Sequence, residues 1–435
     1  MTHYGPARPR VAVIGAGISG LSAAWLLRER CAVTLFEAEA RAGGHADTQL
    51  VRVGGQEVAV DTGFIVFNDR NYPNLTGLFD TLGVATHASE MSFGVSIAGG
   101  ALEYGGGSIP QLFAQKRNLL RPRFAGMVRD ILRFYREAPA LLESTSDESL
   151  GEWLDRGRYG EGFVRDHILP MGAAIWSASV AGMRAFPARH FARFFHNHGL
   201  LSVKDRPQWR TVTGGSRVYV ARMLQDMPTA VQLARAAIAV RRTEAGVVVR
   251  LEDGSESVFD HAILACHADQ SLALLDAPTG REAELLGAIT CQDNRAVLHT
   301  DIALMPKRRR VWSAWNYLSD GPADHGASVS LTYWMNCLQS LQTPEPLLVT
   351  LNPLREPDPA KVLRVRQYRH PQFDAAAMHA QARIGEIQGA DRLYFAGAWT
   401  GWGFHEDGIA CAVRIARQFG VEPPWAGAAT ERVAA

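Results

Sequence analysis

Lysine is almost missing from this 435-residue chain, with four residues against 41 arginines. Chemistry that turns on a site lysine has only Lys116, Lys204, Lys307 and Lys361 to draw on. Cysteine is scarce too. Cys31, Cys266, Cys291, Cys337 and Cys411 are odd in number, scattered and free of CxxC spacing, which argues against a disulfide framework or a structural zinc site and fits a reducing cytoplasm. Neither sign of charge dominates: 45 basic residues meet 44 acidic ones for a net +1, so no global field draws the chain to nucleic acid. The uncharged stretch Val11 to Leu27 imitates a signal peptide, but Gly15, Gly17 and Gly20 dilute it, and it falls short of the roughly 20 residues that span a bilayer. With 47% hydrophobic and 20% charged residues the composition is globular, and the length predicts two or three domains.

The chain opens on a nucleotide-binding pattern. Arg10 to Ile14 is a short β-branched run that enters Gly15-Ala16-Gly17-Ile18-Ser19-Gly20, and Leu21 to Arg30 follows with good helix formers. This spacing predicts strand, tight turn and helix, with the helix N-terminus offering N–H donors and a positive dipole to a pyrophosphate. Gly15 permits the turn, Gly17 lets backbone approach the phosphates, and Gly20 allows close helix–strand packing. A second strand, Ala32 to Phe36, ends at Glu37, where a Rossmann βαβ unit places a carboxylate on ribose hydroxyls.

Behind Glu37 the sequence continues Ala38-Glu39-Ala40-Arg41-Ala42-Gly43-Gly44-His45. This resembles the E-x(3)-R-x-G-G motif of the FAD family that includes amine oxidases, phytoene desaturases and protoporphyrinogen oxidase, with His45 where Arg or Lys is usual. Further stretches are similar to the same family: Val60 to Phe67, containing Gly63, Phe64 and Ile65; Thr213 to Ser216, followed by strand-like runs from Ala236 to Arg241, including Ala237, and from Val247 to Leu251; and Leu393 to Gly397 with Gly403 to Ile409. Ala398 stands where the family places an acid. The resemblance implies FAD as cofactor, held by Gly15 to Gly20, Glu37, Ala38, Arg41, Gly43 to His45, Gly63 to Ile65, Ala237, Gly397, Ala398, Gly408 and Ile409. It implies an α/β fold: a Rossmann-like FAD-binding domain of glutathione-reductase/amine-oxidase type from 9–75, 212–275 and 388–420, with a substrate domain from 76–211 and 276–387 and flexible ends at 1–8 and 424–435.

Strings such as VDTGFIVFN, PMGAAIWSAS and GFHEDG resemble, more narrowly, a bacterial branch that includes desaturases of methyl-branched unsaturated acyl chains in furan fatty acid formation, associated with cyclopropane-fatty-acid-type methyltransferases. That likeness implies an acyl or phospholipid substrate oxidised by hydride transfer to flavin N5. An amine oxidase or carotenoid-type desaturase is the alternative, and a flavin-binding partner of a lipid methyltransferase without its own turnover is another. Trp399, Trp402 and Phe404 are candidates for the wall of an apolar cavity.

His405 and Glu406 are the expected acid–base residues, His405 first because an ordinary imidazole titrates near neutral pH. His45, Glu103, Tyr104, His196, His198 and Asp407 are further candidates. His196 and His198 lack a third ligand at metal-site spacing, so no metal is expected. The stretch Gln111 to Glu137 is rich in arginine, and Pro122 splits it into two helical pieces. From Phe124 its apolar residues recur at steps of three and four with a basic opposite face, the pattern both of a helix in peripheral contact with a membrane, at the inner face of the cytoplasmic membrane, and of an arginine-rich helix packed on the core. Lys307 to Arg310 is a second basic run, read as a solvated loop.

Overall fold

The computed structural model describes residues 8–427 apart from 145, 177–178, 203–205, 228–229 and 322–328. β1 (Arg10–Ile14), α1 (Ile18–Leu27) and β2 (Ala32–Phe36) form the predicted opening unit. Val11, Ala12 and Val13 are fully buried because β1 is the middle strand of a five-stranded sheet and is covered on both faces. The order runs Val231–Gln232, β2, β1, His261–Leu264 and Leu393–Phe395, every pairing parallel. Its strands thus come from three separate stretches of chain. Every residue of α1 is buried, since the helix is sandwiched between that sheet and the helix His405–Gln418. At their crossing a Cβ on Gly408 would lie 2.7 Å from Ser19 Oγ.

Three antiparallel strands, Ala237–Thr243, Gly246–Leu251 and Glu256–Phe259, cover one side. A seven-stranded sheet forms the second large layer, in the order Val362–Pro371, Cys291–His299, Leu348–Leu351, Val329–Trp334, Trp315–Ser319, Phe93–Ile97 and Leu102–Gly105. A helical layer from residues 109–197 packs on it through an aromatic core that includes Phe134, Phe163, Phe191 and Phe195.

Three expectations change. The amphipathic helix is present as Pro122–Glu137, but Phe124, Met127 and Phe134 are buried in that aromatic core, so its apolar face is already covered. The C-terminal end is not wholly loose: Trp425 is buried, stacks on Trp25 at 6.2 Å and donates from Nε1 to Asn74 Oδ1. His196 and His198 lie at the end of the helix Ala188–Asn197, where His196 faces solvent and His198 turns inward to stack on Phe194. Lys204, residues 1–7 and residues 428–435 lie outside the described residues.

Candidate functional site

Two glycine turns build one cradle at the C-terminal edge of the parallel sheet. The first, Gly15 to Gly20, turns at Gly15 with φ +102°, where a Cβ would sit 2.7 Å from the Ala265 carbonyl oxygen. The second, Gly43 to His45, is tied to it by the Gly43 N–H donating to the Ala16 carbonyl at 2.8 Å. A Cβ on Gly44 would lie 3.1 Å from the Gly17 Cα. Gly20 admits no side chain, because a Cβ there would meet the Gly15 carbonyl at 1.8 Å. Gly17 differs: a Cβ built on it meets nothing within 4 Å. The backbone before the N-terminus of α1 therefore faces open space, as a bound pyrophosphate requires.

Side chains hold the turns in place. Arg41 donates from Nη2 to the Gly44 carbonyl at 2.9 Å and pairs with Asp47 at 3.3 Å. Glu37 accepts from the Ala16 N–H at 2.7 Å and the Glu39 N–H at 2.8 Å. Ala38 is exposed beside it, and the Arg235 N–H donates to the Glu37 carbonyl, which brings Ala237 alongside this edge. The next stretch is stitched to the second turn: the Phe64 N–H donates to the His45 carbonyl at 2.7 Å, and a Cβ on Gly63 would strike that same oxygen. Gly397 and Ala398 follow the strand Leu393–Phe395 at the same sheet edge, and Ala398 N lies near Gly408. Ile18, Ser19 and Ile409 are buried around the start of α1, and Ile65 is buried in the core of the seven-stranded sheet.

His45 is half-buried, and its Nε2 is shut off from solvent with no hydrogen-bond partner among the described residues. Burial, then the neighbouring His370 and His267, holds its pKa well below the usual imidazole value, so it is neutral. The His267 and His370 rings lie 6.1 and 5.4 Å from it, and Tyr368 lies 5.2 Å away. His370 has a defined tautomer. The Arg295 N–H donates to Asn352 Oδ1, Asn352 Nδ2 donates to Asn294 Oδ1, and Asn294 Nδ2 is left to donate to His370 Nδ1 at 2.8 Å. The His370 proton therefore sits on Nε2. Sequence reasoning missed His267, His370, Tyr368 and Asn294, which no local motif joins. A usable signal existed for His267, which directly follows a parallel strand on the edge where such sheets bind ligands.

The expected acid–base residues His405 and Glu406 both have partners within the fold. His405 is buried, stacked on Phe64 at 3.7 Å and hydrogen-bonded through Nε2 to the Tyr219 hydroxyl at 3.1 Å. Burial pushes its pKa down to about 3, so it is a weak base with one nitrogen engaged in the core. Glu406 accepts from the Asn74 N–H, Asn74 Nδ2 and the Leu75 N–H, and so caps the helix Pro73–Leu82. Burial outweighs those donors and raises its pKa to about 7. Asp407 accepts from the Phe404 N–H at 2.9 Å. Glu103 holds Ser96, Lys307 N and Arg308, and the Tyr104 hydroxyl donates to the Asp166 carbonyl.

Of the expected aromatic wall, Trp399 is core, donating to the Cys266 carbonyl at 3.0 Å. Phe404 stacks on Phe194 at 5.3 Å, and Trp402 lies 5.8 Å from His190, both half-buried between the helical layer and the helix His405–Gln418. Among the described residues no group of three or more His, Cys, Asp or Glu side chains could hold a metal ion.

The sequence profile described as flavin containing amine oxidoreductase matches residues 18–418. The chain belongs to this family. FAD is its cofactor, and the open face of Gly17 and the unpartnered His45 Nε2 fit such a group. No curated protein matches the sequence. Solved structures of this flavoprotein family's fold include the cyclohexylamine oxidase of Brevibacterium oxydans, at TM-score 0.69 and 15% identity over 95% of this chain and 100% of that one. A putative protoporphyrinogen oxidase from an Exiguobacterium species superposes at TM-score 0.65 with 18% identity, over 95% and 99%. A CLA-producing fatty acid isomerase from P. acnes does so at 0.66 with 14% identity, over 95% and 99%. The protein is thus an FAD-dependent oxidoreductase of the amine oxidase superfamily.

Proposed function

We propose that the protein dehydrogenates an apolar, unsaturated acyl chain, free or in a phospholipid, and does not oxidise an amine. The observation that carries this reading is the state of the carboxylates around the cradle. A cationic amine would be held by an unpaired acid, yet Glu37 is bonded to backbone N–H groups, and Asp47 is bound by Arg366 at 2.6 Å and Tyr368 at 2.9 Å. Asp61 is enclosed by Ser216, Thr48 and Gln339. The imidazoles that face the cradle are neutral, and Trp402 and Phe404 offer aromatic surface nearby. Lys116, Lys307 and Lys361 lie away from it: Lys116 is exposed, Lys307 sits beside Gly100, and Lys361 pairs with Asp301. The fold is shared with a protein named as a fatty acid isomerase, which supports an acyl substrate.

FAD, when bound, supplies the two-electron acceptor. The chain's own residues bind and orient. We assign Gly17 and the α1 N-terminus to the pyrophosphate, Glu37 to the ribose, and His45, neutral and with a free Nε2, to a hydrogen bond at the second glycine turn. Anaerobic mixing with phospholipids carrying methyl-branched unsaturated chains should bleach the flavin absorbance, whereas cyclohexylamine or putrescine should not. Bleaching by the amines alone would overturn the assignment.

A further inference from the structure

Most large apolar residues that face solvent are isolated, but three fall within the one segment 109–120. Leu120 is 87% exposed, Ile109 75% and Leu119 61%. They lie on the short helix Ile109–Leu112 and the turn Lys116–Leu120, just before the buried helix Pro122–Glu137. Such residues are costly to leave in water and cluster where a protein meets an apolar partner.

The charge around them is of one sign. Lys116, Arg117 and Arg121 come from the same turn, and no ion pair with a carboxylate is present for any of them among the described residues. Arg117 and Arg121 instead donate to the Ala101 carbonyl. The second basic run folds onto that same loop: the Lys307 side chain packs on Gly100, and its backbone N–H donates to Glu103. The turn Arg309–Val311 touches the helix Ile109–Leu112. Two basic runs almost 200 residues apart therefore meet beside this exposed apolar segment, and Glu103 between them is spent on Arg308 and the Lys307 N–H.

We propose that this segment is a membrane-docking surface whose partner is an anionic lipid bilayer: Leu119, Leu120 and Ile109 enter the acyl boundary, while Lys116, Arg117 and Lys307 lie at the phosphate level. Exposed apolar side chains with cations beside them match the two layers of such a surface. A soluble protein partner would have no need of that pairing. The proposal does not depend on the acyl-chain reading of the flavin site.

The test is flotation of the FAD-loaded protein with vesicles of pure phosphatidylcholine and of phosphatidylcholine mixed with phosphatidylglycerol. The protein should float with the anionic vesicles, less so at high salt. L119S/L120S should weaken that binding at least about tenfold, and K116Q/R117Q about fivefold per charge, both with FAD absorbance and melting temperature kept, since these side chains are exposed. R136Q, about 20 Å along the helix, should bind as wild type. Equal binding to neutral vesicles, no binding by the wild type, or full binding by L119S/L120S overturns the proposal. So does a change in oligomeric mass in L119S/L120S without vesicle binding, which would make the segment a contact between copies of the chain. Flavin bleaching by dispersed lipid is measured separately, so either proposal fails without the other.

Discussion

His405 shows how far a side chain's surroundings can move it from the role its type suggests. A histidine next to a flavin motif invites the role of base, but this ring lies between Phe64 and Tyr219, and enclosure lowers its pKa to about 3. His405→Phe should preserve the stack on Phe64 and leave the Tyr219 hydroxyl without its partner. The expected cost is about 1–3 kcal/mol of stability, read by thermal melting, with FAD retained. Flavin reduction by substrate should change less than tenfold, short of the about 10²-fold loss that removal of a general base produces. A loss of that larger size with the melt unchanged would return His405 to the chemistry.

At the scale of the element, the two glycines of the first turn separate folding from cofactor retention. A side chain at position 17 meets no protein atom, whereas one at position 20 collides with the Gly15 carbonyl. Gly17→Ala should fold and melt like the wild-type apoprotein yet lose FAD, because its methyl group projects into the space for the phosphates. Gly20→Ala should destabilise the apoprotein itself by about 3 kcal/mol. Equal FAD content in Gly17→Ala and wild type would place the pyrophosphate elsewhere. The difference between these positions also explains what was legible in advance. Gly15 to Gly20, Glu37 and Gly43 to His45 interact within some thirty residues, and each demands a particular residue type, so their spacing announces them. His267, His370 and Tyr368 reach His45 only through long-range sheet pairing, and the register of those strands has no local signature. The basic helix Pro122–Glu137 meets the same limit. Periodicity identifies an apolar face, but whether Phe124 and Phe134 meet lipid or the Phe163 cluster is settled by the partner elements.

The whole molecule is set against acid. Burial pulls five histidines far down, His405 to about 3 and His167, His198, His299 and His370 to about 4. Their contribution is complete above the unfolded value of about 6.5 and is lost as the pH falls towards those folded values, each at about 1.4 kcal/mol per pH unit. Three enclosed carboxylates act in the opposite sense. Asp61 and Asp407 titrate at about 6 and Glu406 at about 7, because burial raises them. Their contribution is present below about pH 4 and disappears as the pH rises through 6 to 7. Between about pH 4.5 and 6 the unfolded chain holds about two more protons than the folded one, so stability should climb with pH by about 2.5 kcal/mol per unit and level off near neutrality. Melting temperatures of the FAD-saturated protein at fixed ionic strength test this, and a flat profile from about pH 5 to 7 would contradict it.

The parallel sheet that carries the cradle draws its last strand, Leu393–Phe395, from close to the C-terminus, and Trp425 then closes over α1 against Trp25. During synthesis the strand His261–Leu264 must therefore wait with one edge unpaired while some 130 further residues are made. The glycine turns are thus made long before the sheet that carries them is complete, and a product that stopped short of Leu393 would carry the motif on a sheet with one strand missing.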